Sequence, residues 1–309
     1  MQHQNRVKQD EDILCHGYLR VTKLLELQAE EIDVSSVEIS VDISTLNSSK
    51  TLKKCLESIL DHAEKSIEVT VVDCGSSDDT VDIARKFGCL VVVDTSLRTL
   101  GQRRKAVEIS RGKYCLILDS DQVIGNGVLD TLCSEYQSFD MVILGERSLS
   151  PQCILARLAD VDRMLSQDDV ISQKDPLKGM LIPRFYRRDI LLDAFNLIST
   201  DLDSSPSGWV DAIVYSKASM LSRNVGYFPD SVFHQDRCSL REFATHYFEF
   251  GKFSRTISST DQDLMKLINS KLTGRILLFR RDLDFKSRVL SLIYMIIKGS
   301  PYLLGTWWG

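Results

Sequence analysis

No Cys-x-x-Cys pair occurs among the eight cysteines, no apolar core follows the polar opening residues, and no uninterrupted apolar run reaches twenty residues. The first absence leaves no sign of a zinc site or a dithiol centre, and cysteines at 15, 55, 74, 89, 115, 133, 153 and 238 signal no disulfide framework. The second, over Met1–Arg6, removes the signature of a secretory leader, so the expected setting is the reducing cytoplasm. The third argues against a spanning helix. A net charge of -5 with a pI near 5.6 provides no overall basic footprint, which speaks against a nucleic-acid partner. What remains, at 309 residues and 43% hydrophobic, is enough chain to bury one large or two small cores.

Residues 1–36 form a charged lead-in with one short apolar helical face through Leu19, Val21, Leu24, Leu25 and Leu27. From Val37 the pattern alternates. Apolar runs at 37–43, 67–72, 89–93 and 114–118 read as strands, and 51–62, 80–87 and 102–110 have helical spacing. Strands separated by helices of about ten residues predict an α/β fold, Rossmann-like, with a mostly parallel sheet covered on both faces. Ligands bind such sheets beyond the carboxyl ends of the strands. Asn47, Asp73, Asp119 and Asp121 all fall at those ends.

Asp119 and Asp121 are the sharpest feature. Side chains at i and i+2 of an extended segment point the same way, so the two carboxylates can converge on a hard divalent ion or on ligand hydroxyls. An Asp-rich turn capping the next helix would have the same sequence. Further on, 178–188 combines Gly, Pro, aromatics and bases in a loop-like stretch, where Arg184, Arg187 and Arg188 are either a solvated basic face or a clamp on phosphates.

The strings Ser44-Thr45-Leu46-Asn47, Val71-Val72-Asp73-Cys74-Gly75-Ser76-Ser77-Asp78-Asp79-Thr80, Gly112-Lys113-Tyr114 and Asp119-Ser120-Asp121 together resemble the nucleotide-sugar half of family 2 glycosyltransferases, which have the GT-A fold. Ser44, Leu46 and Cys74 depart from the family pattern. The resemblance implies a GT-A domain over 37–255, with a nucleotide-sugar half at 37–145 and an acceptor half at 146–255, followed by a helical tail at 256–309. It implies a donor-binding set of Thr45, Asn47, Asp73, Arg103, Asp119 and Ser120. Asp73 would accept from the base, or else cap the next helix. Arg103 would contact the base or pyrophosphate. The implied cofactor is Mn or Mg, held by Asp121 with Asp119 and His234.

In Trp209-Val210-Asp211 the family commonly has Glu-Asp, which leaves Asp211 as the implied general base and Trp209 as an acceptor-side candidate. The implied activity is inverting transfer of a sugar from a UDP- or GDP-linked donor to an acceptor hydroxyl on a glycan or a polyprenyl-linked lipid. A nucleotidyltransferase also carries strand-end acids but wants a Gly-rich basic loop after its first strand, which 44–49 is not. A silent GT-A scaffold is the other alternative, given Val210 and Cys74. Finally, 288–309 is apolar, interrupted at Lys298, Gly299 and Pro301, and ends in Trp307-Trp308, so peripheral contact with a membrane interface is expected, with packing on the protein's own core as the alternative.

Overall fold

The computed structural model describes residues 37–60, 67–172, 182–204, 209–258 and 285–308. The expected lead-in helix, Lys178 and the turn at 205–208 lie outside them. The chain opens with β1 (Ile39–Thr45), α1 (Ser49–Leu60), β2 (Ile67–Asp73), α2 (Thr80–Lys86), β3 (Leu90–Val93), α3 (Thr99–Ile109) and β4 (Tyr114–Asp119). β5 (Gln122–Ile124), α4 (Val128–Glu135), β6 (Met141–Ser148) and α5 (Ile154–Ser172) follow. Then come β7 (Pro183–Arg187), α6 (Arg188–Asn196), α7 (Val210–Leu221), β8 (Val225–His234), α8 (Leu240–Ser258) and α9 (Phe285–Trp308).

Eight strands form one sheet in the order β3-β2-β1-β4-β7-β6-β8-β5. β1 to β4 are parallel, as the alternating pattern requires; beyond β4 the sheet is mixed, because β7 runs antiparallel to both β4 and β6 while β8 runs parallel to β6. β4 shows why this sheet is stable. Tyr114, Leu116 and Leu118 enter one core with α1 and α4, while Cys115 and Ile117 enter the other with α3, α6 and α7. Gly112 precedes the strand because a β-carbon there would collide with the backbone of Ser40.

Three expectations need correction. The stretch read as a basic loop contains β7, a central strand whose Phe185 and Tyr186 are buried. Its aromatics make it a strand, and its arginines hide that. Cys153 and Cys238 form a disulfide across 85 residues of sequence, with Cα atoms 5.8 Å apart. No local spacing announces it, since only the pairing of β6 with β8 brings the two segments together. And α9 continues through Gly299 and Pro301 as a single helix of 24 residues. It packs on α5 and α8 through a small cluster that includes Leu155, Leu158, Phe243 and Tyr294.

Candidate active site

The register of the parallel strands sets Thr45 beside Asp73 and Ser44 beside Asp119. The two acids thus end strands on either side of β1. Asp73 is fully buried and accepts from Thr45 Oγ1 at 2.8 Å, Gly75 N at 2.8 Å, Ser76 N at 2.7 Å and the Ser76 hydroxyl. Both of its oxygens are used within the chain, and they fold the Cys74–Ser76 loop. The expected cap of the following helix comes instead from Asp78, which accepts from Thr80 N at 3.1 Å and Ser49 N at 3.1 Å; slight burial raises its pKa, but the Thr80 hydroxyl and these donors hold it at about 2. Asn47, in the left-handed region at φ 52°, accepts from Ser77 N at 2.9 Å and shapes the same rim.

Around Asp119 the chemistry changes from neutral donors to ions. Arg103 leaves α3 with a side chain only 3% exposed, donates to Asp119 Oδ1 at 2.7 Å and forms a close ion pair with Asp211 Oδ1. Expected at the base or pyrophosphate, it bolts the strand-end acid to the first turn of α7. Arg184, from β7, donates to Glu146 Oε1 at 2.6 Å and lies 3.4 Å from Asp119 Oδ2 and 3.9 Å from Asp211 Oδ2. Two buried guanidiniums are therefore shared among three carboxylates. Burial acts to raise the Asp119 pKa, but Arg103 and Arg184 overcome it and hold the group at about 2. Glu146 is likewise held well below the carboxylate range, with Arg184 and His234 outweighing burial. Arg184 Nη1 and Arg103 Nε are buried without a hydrogen-bond partner among the described residues. An unpaired buried donor of this kind is costly and suits an anion that arrives later.

Asp121 is the exception in this group. Burial raises its pKa and Asp119 adds to the effect, against His234, Arg237 and Arg184. Its nearest cation is Arg237, 3.6 Å away. The adjacent Ser120 hydroxyl donates to Ser48 Oγ at 2.8 Å. His234, at the end of β8, has Nε2 at 2.9 Å from Glu146 Oε2 and 3.1 Å from Gln122 Nε2. Since Gln122 Oε1 accepts from Asp119 N at 2.8 Å, its amide turns the NH2 toward the ring. His234 thus reaches the cluster but spends one nitrogen there. Among the described residues no three acidic, His or Cys side chains form a ready-made cation shell.

Not every candidate is present. Arg187 pairs with Tyr114 at the opposite end of β4 and binds Asp140 and Asp189, while Arg188 donates to the carbonyls of Val107 and Glu108 at 3.3 Å. That end lies roughly 16 Å along the strand from Asp119, since five residues at about 3.3 Å each separate them. Of the three arginines only Arg184 belongs to the site. Trp209, in the left-handed region at φ 61°, donates to Ser254 Oγ at 2.9 Å and ties α7 to α8. Glu146 and Gln122 were not singled out from sequence. The apolar run of β6 stops at Leu144, and only a shift in the β6–β8 register aligns Glu146 with Val232 beside His234.

Known proteins share this geometry. Residues 40–152 match the model for glycosyl transferase family 2. Glycosyltransferase GlyG of Streptococcus pneumoniae is 31% identical over 117 residues, which cover 35% of this chain and 38% of GlyG. A UDP-Glc:alpha-D-GlcNAc-diphosphoundecaprenol beta-1,3-glucosyltransferase, WfaP of Escherichia coli, is 25% identical over 203 residues, 60% of this chain and 80% of WfaP. The chain spans well under two thirds of the length of the first of these relatives. Among solved structures, mannosyltransferase PcManGT from Pyrobaculum calidifontis superposes with a TM-score of 0.56 at 14% identity, over 94% of this chain and 93% of that one. S. aureus TarS 1-349 superposes with a TM-score of 0.52 at 16% identity, over 86% and 81%. The strand-end carboxylates and their order in the chain agree with these matches: residues 40–152 are similar to family 2 glycosyltransferases, and the fold is the GT-A fold of the solved neighbours.

Proposed function

We propose that the protein transfers a sugar, with inversion, from a nucleoside diphosphate donor to an acceptor hydroxyl, using Asp211 as general base. The observation that carries this reading is the convergence of Asp119, Asp121, Glu146, Asp211, Arg103 and Arg184 beyond the carboxyl ends of the parallel strands. Thr45, Asn47, Asp73 and Ser120 form the rim on which the nucleoside would lie, with Asp73 shaping the loop rather than contacting the base. Arg184 is the anion contact: it has one long ion pair to Asp119, a longer one to Asp211 and an Nη1 without a partner. A diphosphate gives that guanidinium a better counter-charge and loosens its hold on Asp211. Asp211 then accepts the acceptor's proton as the oxygen attacks the anomeric carbon and the bond to the diphosphate breaks. TarS has been solved with UDP-GlcNAc and PcManGT with GDP-Man and Mn2+, which supports a UDP- or GDP-linked donor without choosing between them.

The residues fit a divalent ion of the kind bound by one or two carboxylates, with water and substrate phosphate completing its shell. Asp121 would be the main ligand, because it is the buried carboxylate with the weakest compensation here, with Asp119 and His234 beside it. When bound, the ion supplies neutralisation of the diphosphate. WfaP, by its name, acts on a diphosphoundecaprenol-linked sugar, and a lipid-linked or membrane glycan acceptor at the cytoplasmic face is the acceptor class proposed for this chain. Thermal shift against UDP, GDP and their sugars, with and without Mn, tests the donor site. A ligand at 100 times its dissociation constant adds about 2.7 kcal/mol. Asp121→Ala should remove the Mn-dependent part of the shift and leave the rest; an unchanged Mn effect would move the ion elsewhere.

A further inference from the structure

α9 has two unlike faces. Its inner face packs with little clearance: a β-carbon on Gly251 or Gly305 would strike the partner helix backbone, and Lys298 is turned inward to Asp162 at 3.0 Å. Its outer face is largely apolar. Phe285, Leu292, Ile296, Leu303, Trp307 and Trp308 are all exposed, the two tryptophans at 86% each. Steps of seven and four residues put the first five on one stripe of a helix roughly 36 Å long, with Trp308 beside its end. Over Val289–Trp308 the mean hydropathy is 1.3, yet only 11% of that span is buried. A stripe of this length left in water is unusual for a protein surface.

Apart from Lys298, which is spent on Asp162, the same helix carries two bases, Lys286 and Arg288, and no acidic residue, within a chain whose net charge is -5. The inner-face ion pair and the glycine packing fix α9 along the body of the protein, an arrangement for lying in an interface rather than crossing a bilayer. Trp307 and Trp308, at the end of the stripe, are of the residue type that accumulates at headgroup level. The helix also adjoins the acceptor side of the site. Tyr302 donates to Ser254 Oγ at 2.9 Å, the same oxygen that accepts from Trp209 Nε1, and Trp209 stands two residues before Asp211.

We infer that the outer face of α9 is a docking surface for an anionic bilayer, and that it holds the Asp211 side of the site at the level of the lipid headgroups. Docking itself does not depend on the glycosyltransferase reading; its use in delivering a lipid-linked acceptor does. The occupant is a membrane rather than a second copy of this chain because the stripe joins apolar side chains to a helix with bases alone and paired interfacial tryptophans.

The full chain is mixed with vesicles of phosphatidylcholine, with and without about a third phosphatidylglycerol, and sedimented at moderate salt. Co-sedimentation with the anionic vesicles, a blue shift of tryptophan emission, and weaker binding to neutral vesicles are expected. The double variant Leu292→Glu, Ile296→Glu should weaken binding at least about tenfold, since each charge must enter the interface. A second variant, Trp307→Ala with Trp308→Ala, keeps the test open if the first fails to fold. Its two positions are the most exposed of the stripe, and it should abolish the blue shift while leaving the melting temperature unchanged. Full-length protein that stays in the supernatant, or a folded double-Glu variant that sediments like the parent, overturns the proposal. So does a lipid-free dimer that the double-Glu variant converts to monomer. Nucleotide release from a sugar donor, measured on the same samples without vesicles, keeps the two readings separable: its loss tests the enzyme, not the docking.

Discussion

Asp73 and Asp119 end strands on opposite sides of β1 and have nearly the same local sequence setting, yet the protein surrounds one with neutral N–H and O–H donors and the other with two guanidiniums. The first arrangement closes on itself. Both oxygens of Asp73 are spent on Thr45 of the adjacent strand and on Gly75 and Ser76, so removing it disturbs a loop. The second is open: charges from α3, β4, β6, β7 and α7 are shared unevenly, and two buried guanidinium nitrogens have no partner among the described residues. A self-contained carboxylate builds the rim, whereas an incompletely compensated cluster is what a charged substrate can reorganise.

The largest break in that comparison comes from Asp211→Asn, which removes the proposed base but keeps the shape. Transfer should fall by roughly two to four orders of magnitude while donor binding persists. Near-normal transfer would pass the role to another carboxylate, with Asp203 next, although it is already paired with Arg104 at 2.8 Å. Arg184→Met comes next. It leaves Glu146 buried without its closest cation and should cost about 3–5 kcal/mol in urea unfolding, as one-sided loss of a buried pair does. Arg187→Met, on the same strand at the far end, should cost well under that, and equal losses would remove the distinction between the two arginines. Asp73→Asn exchanges an acceptor for a donor facing Thr45, Gly75 and Ser76, and about 1–3 kcal/mol is expected from the stranded loop donors.

A last prediction sharpens the comparison from outside the site. Asp42 is fully buried, accepts from Ser110 Oγ at 2.6 Å, and has its pKa pushed up to about 7, chiefly by burial. Its folded value lies above its unfolded one. The protonated form's contribution to stability is therefore complete below about pH 4 and lost as pH rises toward 7. Asp42→Asn should flatten that part of the stability-against-pH curve. Asp119, depressed to about 2, works in the opposite sense: its contribution is present above its ordinary value of 3.8 and disappears as pH falls through 2. Melting curves from about pH 1.5 to 8 separate the two.

How much of this was legible follows from range. Asp73, Asp119 and Asp121 could be placed because parallel strands with short crossovers put strand ends in one row, and the periodicity of 37–118 shows both. Glu146 could not, because Gly145 ends the apolar run and a register shift against β8 decides where the carboxylate points. Arg184, Arg187 and Arg188 look alike in sequence and separate only once β7 is a central strand with two ends. Arg103 was expected to meet a ligand, and it met two acids that lie 16 and 108 residues away in sequence. The Cys153–Cys238 link and the helical course of α9 through Pro301 likewise depend on neighbours that no window of sequence contains.

The most direct test of the account is release of nucleoside diphosphate by the purified full-length chain from a panel of UDP- and GDP-sugars with Mn or Mg. It predicts release with at least one donor, accelerated by a lipid-linked or glycan acceptor and lost in Asp211→Asn. A folded protein that binds a nucleotide yet releases nothing from any donor, with or without acceptor, would contradict it and leave a GT-A scaffold that binds without turnover.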